Sequence, residues 1–331
     1  MSQTPPPSGE LEVRDARSED REAVLAFCAR TWGDEGDYIA DVWSEWLADP
    51  HGALLVGLVD GRPVALSHLR MTMPDEAWIE GVRVAPEARR QGVGHVMVSR
   101  SLVRARELGA VVARMFTNST NVASQRLFEG FAFKKIAELG YYTGTALSPD
   151  PEEAARQRPP RTAAELDPTI AETTYDTTEG ALPSDARLVT PGPAEFARLW
   201  AWLEQSNLTP FNGGLEIHHW AGFGLSEPTL RDHLAAGEVI TLDEWGATQA
   251  LAIVCEDDSD SDSPELEVRY IDGLSDAIGR LALLLRGEAY RRKLTQVWLW
   301  LPDLLILRDA MDGAGYTRGG DGAMWVYARP L

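Results

Sequence analysis

Along the 331-residue chain, apolar positions switch between a period of two and helical spacing in the same order twice. In the first half, alternation predicts a strand at Leu11–Arg14. The capping-box run Ser18-Glu19-Asp20-Arg21-Glu22 then opens a helix to about Arg30. A second helix carries Trp43 and Trp46, and strands follow at Ala53–Val59, Pro63–Met71 and Ala77–Val84. The first two of these are joined by Asp60-Gly61, a tight-hairpin dipeptide. A helix from about Gly92 to Leu108, ended by Gly109, precedes a strand at Val111–Thr117, a helix at Asn121–Gly130 and a strand region at Phe133–Thr145.

The second half starts with a strand at Arg187–Thr190 and the helix PAEFARLWAWLEQ. Strands at Val239–Leu242, Gln249–Cys255 and Glu265–Ile271 lead to a helix at Asp276–Arg292. The strand Gln296–Leu301, the helix Leu304–Gly313 and the strand Ala323–Ala328 complete it. The repeated order βα(α)βββαβαβ predicts an α/β fold with a mixed sheet, built twice. Residues 151–185 are rich in Pro, Thr and charge without sustained periodicity and read as a linker. The predicted division is 1–150, linker, and 186–331.

Charge narrows the function. A formal net charge of -20 disfavours nucleic acid and anionic membranes, because both require many Lys and Arg to meet phosphates. No apolar run reaches the roughly 20 residues of a spanning helix, and MSQTPPPSGE lacks the basic and apolar parts of a signal peptide, so a cytoplasmic protein is expected. Cys28 and Cys255 sit in apolar contexts and read as reduced, buried thiols.

Against that acidic background, Val82–Arg106 carries six arginines and only Glu87 as an acid, a local charge of +5. It includes VAPEARRQGVGHVMV, where a strand gives way to a helix at Gly92-Val93-Gly94. Helix-start amides, the positive end of the helix dipole and nearby cations make an anion site, and glycine lets a phosphate approach the backbone. There is no G-x-x-x-x-G-K-[ST], and Met97 stands where a dinucleotide fingerprint needs its third Gly.

The remaining pattern, Arg89-Arg90-Gln91-Gly92-Val93-Gly94 preceded by Val84-x-Pro86, resembles the acetyl-CoA-binding motif of the GCN5-related N-acetyltransferase (GNAT) superfamily. NVASQRLFEGFAF, Asn121–Phe133, resembles a second segment of that family, and the likeness spans about residues 11–145. It implies two tandem acyl-CoA N-acyltransferase-like domains, the second degenerate, with acetyl-CoA as co-substrate. It also implies that Val82, Arg83 and Val84 meet the pantetheine and acetyl group, that Arg89, Arg90, Gln91, Gly92, Val93, Gly94 and His95 hold the pyrophosphate, and that Asn121 touches the cofactor. Two positions depart from the family pattern. Phe128 replaces the usual Tyr acid, and Ala132 replaces a Gly. Tyr141 and Tyr142 are the alternative hydroxyls.

A lysine-like amine must lose its proton before attack, at a cost of roughly 4 kcal/mol at neutral pH, so a general base is useful. Glu80 is the candidate. Strict alternation would set it beside Trp78, Val82 and Val84, among apolar neighbours that raise its pKa; Asp75 and Glu76 are second choices. Trp32, Trp43 and Trp46 are candidates for the acceptor groove, and Asp34, Glu35 and Asp37 for attracting a cationic amine. At the matching corner of the second half, Asp272, Gly273 and Asp276 replace the arginines and glycine pair, so one cofactor per chain is expected. Asp258-Ser-Asp260-Ser-Asp262 lacks the Gly and Glu of a calcium loop, and His218-His219 shows no third ligand nearby, so no metal is expected. The sequence therefore reads as an N-acetyltransferase acting by direct transfer to a small-molecule amine. A non-catalytic acyl-CoA-binding or scaffold protein is the alternative.

Overall fold

The computed structural model describes residues 10–29, 31, 36–148, 186–257 and 263–331. The linker reading at 151–185 and the acidic run Asp258–Asp262 lie outside these residues, as do Trp32, Asp34 and Glu35. No helix among the described residues is long and apolar enough to cross a membrane.

The first compact unit takes the described residues through Ile136 together with Trp220–Gly224 and Trp325–Leu331. Its strands are β1 (Leu11–Asp15), β2 (Gly52–Val59), β3 (Arg62–Met73), β4 (Glu76–Val84) and β5 (Val112–Asn118), in that order across the sheet. The first four are antiparallel neighbours, and β4 pairs with β5 in parallel. Asp60 and Gly61 both adopt positive φ, 51° and 74°, the geometry that a two-residue hairpin between twisted strands requires.

Helices α1 (Arg21–Cys28) and α2 (Ile39–Ala48) cover one face, burying Val24, Ile39, Trp43 and Trp46 against Leu54, Val56 and Leu66. Helices α3 (Val93–Glu107) and α4 (Val122–Glu129) cover the other, through Val98, Leu102 and Phe128. The predicted first helix is shorter than expected. Ser18–Asp20 forms a 3-10 turn, and Asp20 rather than Ser18 closes it by accepting the Arg17 amide at 2.7 Å.

Asp20 also takes a two-pronged bond from Arg14, at 2.7 and 2.8 Å, which holds its carboxyl below the ordinary carboxylate range. A depressed folded pKa means the stabilisation exists above the unfolded value and fades as pH falls through the folded one. Asp20→Asn should therefore cost about 1–3 kcal/mol at pH 7. The deficit should shrink towards zero in urea titrations repeated at progressively lower pH below the unfolded carboxylate value, and a deficit unchanged on acidification would exclude the Arg14 pair as its source.

The second unit takes the described residues from Ala137 through His219 and from Leu225 through Met324. Its strand β6 (Lys134–Thr145) enters the unit at Ala137, and β7 (Arg187–Val189) follows. Two short strands, β8 (Leu215–His218) and β9 (Ala221–Gly224, whose residues belong to the first unit), precede β10 (Val239–Glu244), β11 (Ala247–Asp257), β12 (Glu265–Gly273), β13 (Gln296–Pro302) and β14 (Thr317–Pro330, of the first unit from Trp325 on). Within the unit the order β7-β10-β11-β12-β13 repeats that of β1 to β5, with three antiparallel pairings followed by a parallel one.

Helices α5 (Phe196–Leu203), α6 (Thr209–Asn212), α7 (Glu227–Ala236), α8 (Ser275–Arg291) and α9 (Leu305–Gly313) belong to this unit. The stretch between α5 and β10 is thus structured where the sequence pattern predicts nothing. Its readable signal is the Ser226 cap of α7, whose hydroxyl accepts from the Thr229 amide, with Gly237 in the left-handed conformation at the far end.

The units do not follow the expected boundaries at 150 and 186. Most of the strand placed in the first domain at Phe133–Thr145 belongs to the second unit, because β6 pairs with β13 from Leu139 to Thr145 and buries Tyr142 in the core of Leu266, Val268 and Leu299. The end of the chain belongs to the first unit. The Leu331 amide bonds the Val111 carbonyl at 2.8 Å, Tyr327 joins the core of Phe128 and Phe133, and its hydroxyl reaches Glu129 at 3.0 Å.

Candidate active site

The parallel ladder between β4 and β5 runs from Glu76 opposite Val112 to Ile79 opposite Met115 and ends there, although β4 continues to Val84 and β5 to Asn118. A bulge in β4 accompanies the separation. On β3, His68 faces Glu80 and Leu66 faces Arg83, so Ser67 alone spans Gly81 and Val82. Gly81 has φ of 63°, and a Cβ there would come within 2.6 Å of the Trp46 ring. Only glycine fits.

The extra residue reverses the alternation expected for this strand. Glu80 and Arg83 face α2, whereas Val82 and Val84 pack with the α3 side. The neighbours of Glu80 are consequently polar, contrary to the sequence expectation. Its Oε1 accepts the Arg70 Nε–H at 2.9 Å and lies 2.9 Å from His68 Nδ1, while Oε2 stays outside both contacts. The Trp46 ring stacks on His68 with centroids 4.2 Å apart, and the half-exposed Tyr38 meets Trp46 edge-on at 6.0 Å. His68 and Arg70 are the residues sequence reading missed; their signal is two ionisable side chains, two apart, in the middle of a strand.

Other expectations for this face need correction. The Arg83 guanidinium is held by Asp37, with Nε and a terminal nitrogen at 2.8 and 3.2 Å, so the expectation placed on its backbone is left as it stood. That pair also neutralises Asp37 as an attractor of cations. Trp43 and Trp46 are buried, at 2% and 3% exposure, so they frame the face from within rather than line an open groove. The segment Trp220–Gly224 brings an unforeseen aromatic. Trp220 lies 6.5 Å from Phe116, which in turn lies 6.2 Å from Trp78, and Gly224 abuts the Glu76 carboxylate. Glu76 itself is paired with Arg114.

Beyond β4, residues 85–92 loop to α3. Arg90 and Gly92 take positive φ, 61° and 80°, and Gly92 caps the helix in that conformation. The Arg89 Nε–H bonds the Val84 carbonyl at 3.0 Å and Gln91 bonds the Glu87 carbonyl at 2.8 Å, so both side chains brace the turn. Amides of a first helical turn lack intrahelical carbonyls, and here Val96 is the first to find one, Gly92 at 3.1 Å. Arg89, Arg90, Gln91, Gly92 and His95 are exposed, while Val93 is buried and anchors the turn in the core.

Gly94 is helical, and a Cβ there would meet Leu127 and Val84 only at 3.5 and 3.8 Å, ordinary contact distances. Nothing among the described residues demands glycine at 94. A glycine there leaves the backbone open to close approach. His95 stacks on Phe131 at 4.2 Å, covering one side of the turn. Asn121 uses its Oδ1 to cap α4 through the Ser124 amide at 3.1 Å.

The family's acid position is closed. Phe128 is 2% exposed and packs edge-on to Phe133 at 5.1 Å, while Ala132 adopts the positive φ, 63°, natural to the glycine it replaces. Tyr141 and Tyr142 belong to the second unit, where burial pushes the Tyr141 phenol up to about 12 and raises Tyr142 as well. In the second unit the corner after β12 is shortened to Leu274 before α8 begins. Asp272 fills it, accepting from Ser206 (2.5 Å), Tyr270 (2.6 Å) and the Gly273 amide (2.7 Å). Gly273 answers to packing, since a Cβ would lie 2.6 Å from the Gln249 carbonyl.

This geometry, a splayed parallel pair beside a glycine-lined helix start, coincides with what comparison finds. Residues 13–133 match the model of the acetyltransferase (GNAT) family. They form a GNAT-family domain.

L-2,4-diaminobutyric acid acetyltransferase of Nocardia farcinica is 30% identical over 96 residues, which is 28% of this chain and 50% of that protein. The chain thus spans about half the length of the curated relative it matches. The solved GCN5-related N-acetyltransferase of Sphaerobacter thermophilus aligns over 97% of this chain and 95% of its own at 12% identity and a TM-score of 0.60. A GCN5-related glucosamine N-acetyltransferase region of a fungal multi-domain β-N-acetylglucosaminidase covers 97% of this chain and 38% of its own, at 14% identity and a TM-score of 0.58. The GNAT family generally uses acetyl-CoA as acyl donor.

Proposed function

We propose that the chain is an N-acetyltransferase that transfers an acetyl group from acetyl-CoA to a primary amine of a small, cationic acceptor by direct attack. The observation that carries the reading is Gly94, a helical glycine next to open amides whose missing side chain serves nothing in the fold itself. The amides of Gln91 to His95 would hold the pyrophosphate, with the arginines at 89 and 90 adding positive field. The stretch Val82–Val84, beyond the end of the β5 ladder, would take the pantetheine as a strand takes a neighbour. Acetyl-CoA, when bound, supplies an acyl carbon activated as a thioester.

Glu80 is the proton acceptor in this reading. Arg70 and His68 hold one carboxylate oxygen and orient the other, which takes the ammonium proton directly or through water. The acceptor class rests on the net charge of -20 and on the relative whose name gives an amine-bearing amino acid as its substrate. The salt dependence follows. Raising ionic strength should increase KM for the amine with little change in kcat; a KM indifferent to salt, or an anionic best acceptor, would remove electrostatic selection.

The burial of Phe128, which leaves no tyrosine acid at the usual place, favours a binding module as the second reading. Release of free CoA in the presence of a panel of amines, followed with a thiol reagent, separates the two. Release above the no-amine rate supports the enzyme, and CoA binding without turnover across the panel supports the module. Because Asp272 fills the second unit's corner, the same binding titration should saturate at one CoA per chain; two equivalents would contradict that assignment.

A further inference from the structure

The second unit gathers a set of metal-type ligands that sequence spacing hides. His218 and His219 stand at the end of β8, and Glu267 lies 48 to 49 residues further on, on β12. Donor atoms of the three lie within 4.8 Å of one another, which corrects the expectation that the histidine pair has no third ligand. Glu267 is fully buried. Its Oε2 lies 2.6 Å from His218 Nδ1 and accepts the Cys255 thiol at 3.1 Å, while Oε1 accepts the His219 amide at 3.2 Å.

Those contacts fix the carboxylate where both imidazoles can reach it. The two rings sit 4.1 Å apart at 72° to each other, and His219 holds φ of 44°, a left-handed conformation uncommon for a residue with a side chain. In this conformation successive histidines present their rings to one point, instead of to opposite sides as in an extended strand. His219 is exposed and His218 partly so, so solvent reaches the two imidazoles.

We propose that His218, His219 and Glu267 form a binding site for one divalent transition ion of the zinc type. Two imidazoles and one carboxylate are a borderline nitrogen and oxygen set, suited to zinc over calcium or magnesium, and three protein ligands leave a position for water. The neighbouring Cys255 thiol, pushed up by burial and by Glu267, holds the carboxylate as a hydrogen-bond donor. The site uses none of the residues assigned to acetyl transfer, so its test is independent of that reading.

The experiment is a calorimetric titration of ZnCl2 into the full chain, freed of any affinity tag and stripped with chelator, alongside His219→Ala and Glu267→Gln. The expected result is one equivalent bound by the wild type, and at least tenfold weaker binding by His219→Ala. His219→Ala is chosen because an exposed side chain can be removed with the fold intact, checked by circular dichroism. A rise in thermal midpoint with zinc, present in the wild type and lost in His219→Ala, should accompany it. Absence of saturable uptake near one equivalent, or equal affinity of wild type and His219→Ala, would overturn the proposal whatever Glu267→Gln does to folding. Magnesium in place of zinc should give no heat of binding at the same concentrations, and equal binding of magnesium would also overturn it.

Discussion

Gly94→Val should reduce affinity for CoA by at least about 100-fold, or roughly 2.7 kcal/mol, while leaving the fold as stable as before. The asymmetry comes from where the new atoms go. The Cβ itself fits beside Leu127 and Val84, and a helical position gains slightly in propensity when glycine is replaced. The two methyl groups beyond it occupy the space in front of the first-turn amides, which a phosphate needs.

Gly92→Val should also lose CoA, but with a folding cost of about 1–2 kcal/mol, because φ of 80° is unfavourable for a β-branched residue. The pair of variants therefore separates exclusion of the ligand from distortion of the turn. Arg100→Ala, exposed further along α3, serves as the control for simple loss of positive charge and should bind CoA nearly as well as the wild type. Calorimetry with CoA together with thermal unfolding decides the matter. Unchanged CoA binding by Gly94→Val would refute the site.

Glu80→Gln should lower turnover by about 100-fold or more at neutral pH with KM for acetyl-CoA little changed. The substitution keeps the shape and the ability to accept from Arg70 but cannot take up a proton. As pH rises toward the amine's own pKa, a growing share of acceptor arrives deprotonated and the base loses its purpose, so the deficit should narrow. The sign is distinctive. A structural defect would lower the rate by a factor independent of pH, and an unaltered pH-rate profile would remove Glu80 from the mechanism.

Arg70 is a positioning residue in this scheme. Arg70→Lys should retain more activity than Arg70→Ala, since Lys keeps the charge beside Oε1 while losing the fixed donor geometry.

Much of this was legible in the chain. Alternation, the Asp60-Gly61 hairpin and the glycine pair predict the strands of the first unit and the turn into α3, because each depends on neighbours in sequence. Legibility failed where tertiary structure decides. No composition marks the bulge at Gly81; it is required because the Trp46 ring occupies the place of a side chain, and its effect is to exchange the faces of everything after Glu80. Polar partners of Glu80 come from a different strand, and the partner of Arg83 from the start of α2.

The same limit applies at larger scale. Periodicity finds Ala323–Ala328 as a strand but is silent on the unit to which its residues from Trp325 belong, which is settled by Tyr327 packing with Phe128 and Phe133. Likewise, Glu267 reads as one more acid on a strand until His218 and His219 are brought to it. The short elements between α5 and β10 were missed because four-residue segments carry too few positions to show a period.

The central claim, acetyl transfer to an amine at the first unit, is tested most directly by mass spectrometry of an unbiased amine panel incubated with protein and acetyl-CoA carrying a carbon-13-labelled acetyl group. The account predicts a small cationic amine that gains one labelled acetyl as an amide in wild-type reactions and not in Gly94→Val reactions. No acetylated amine above the protein-free control, or equal product from Gly94→Val, would contradict it.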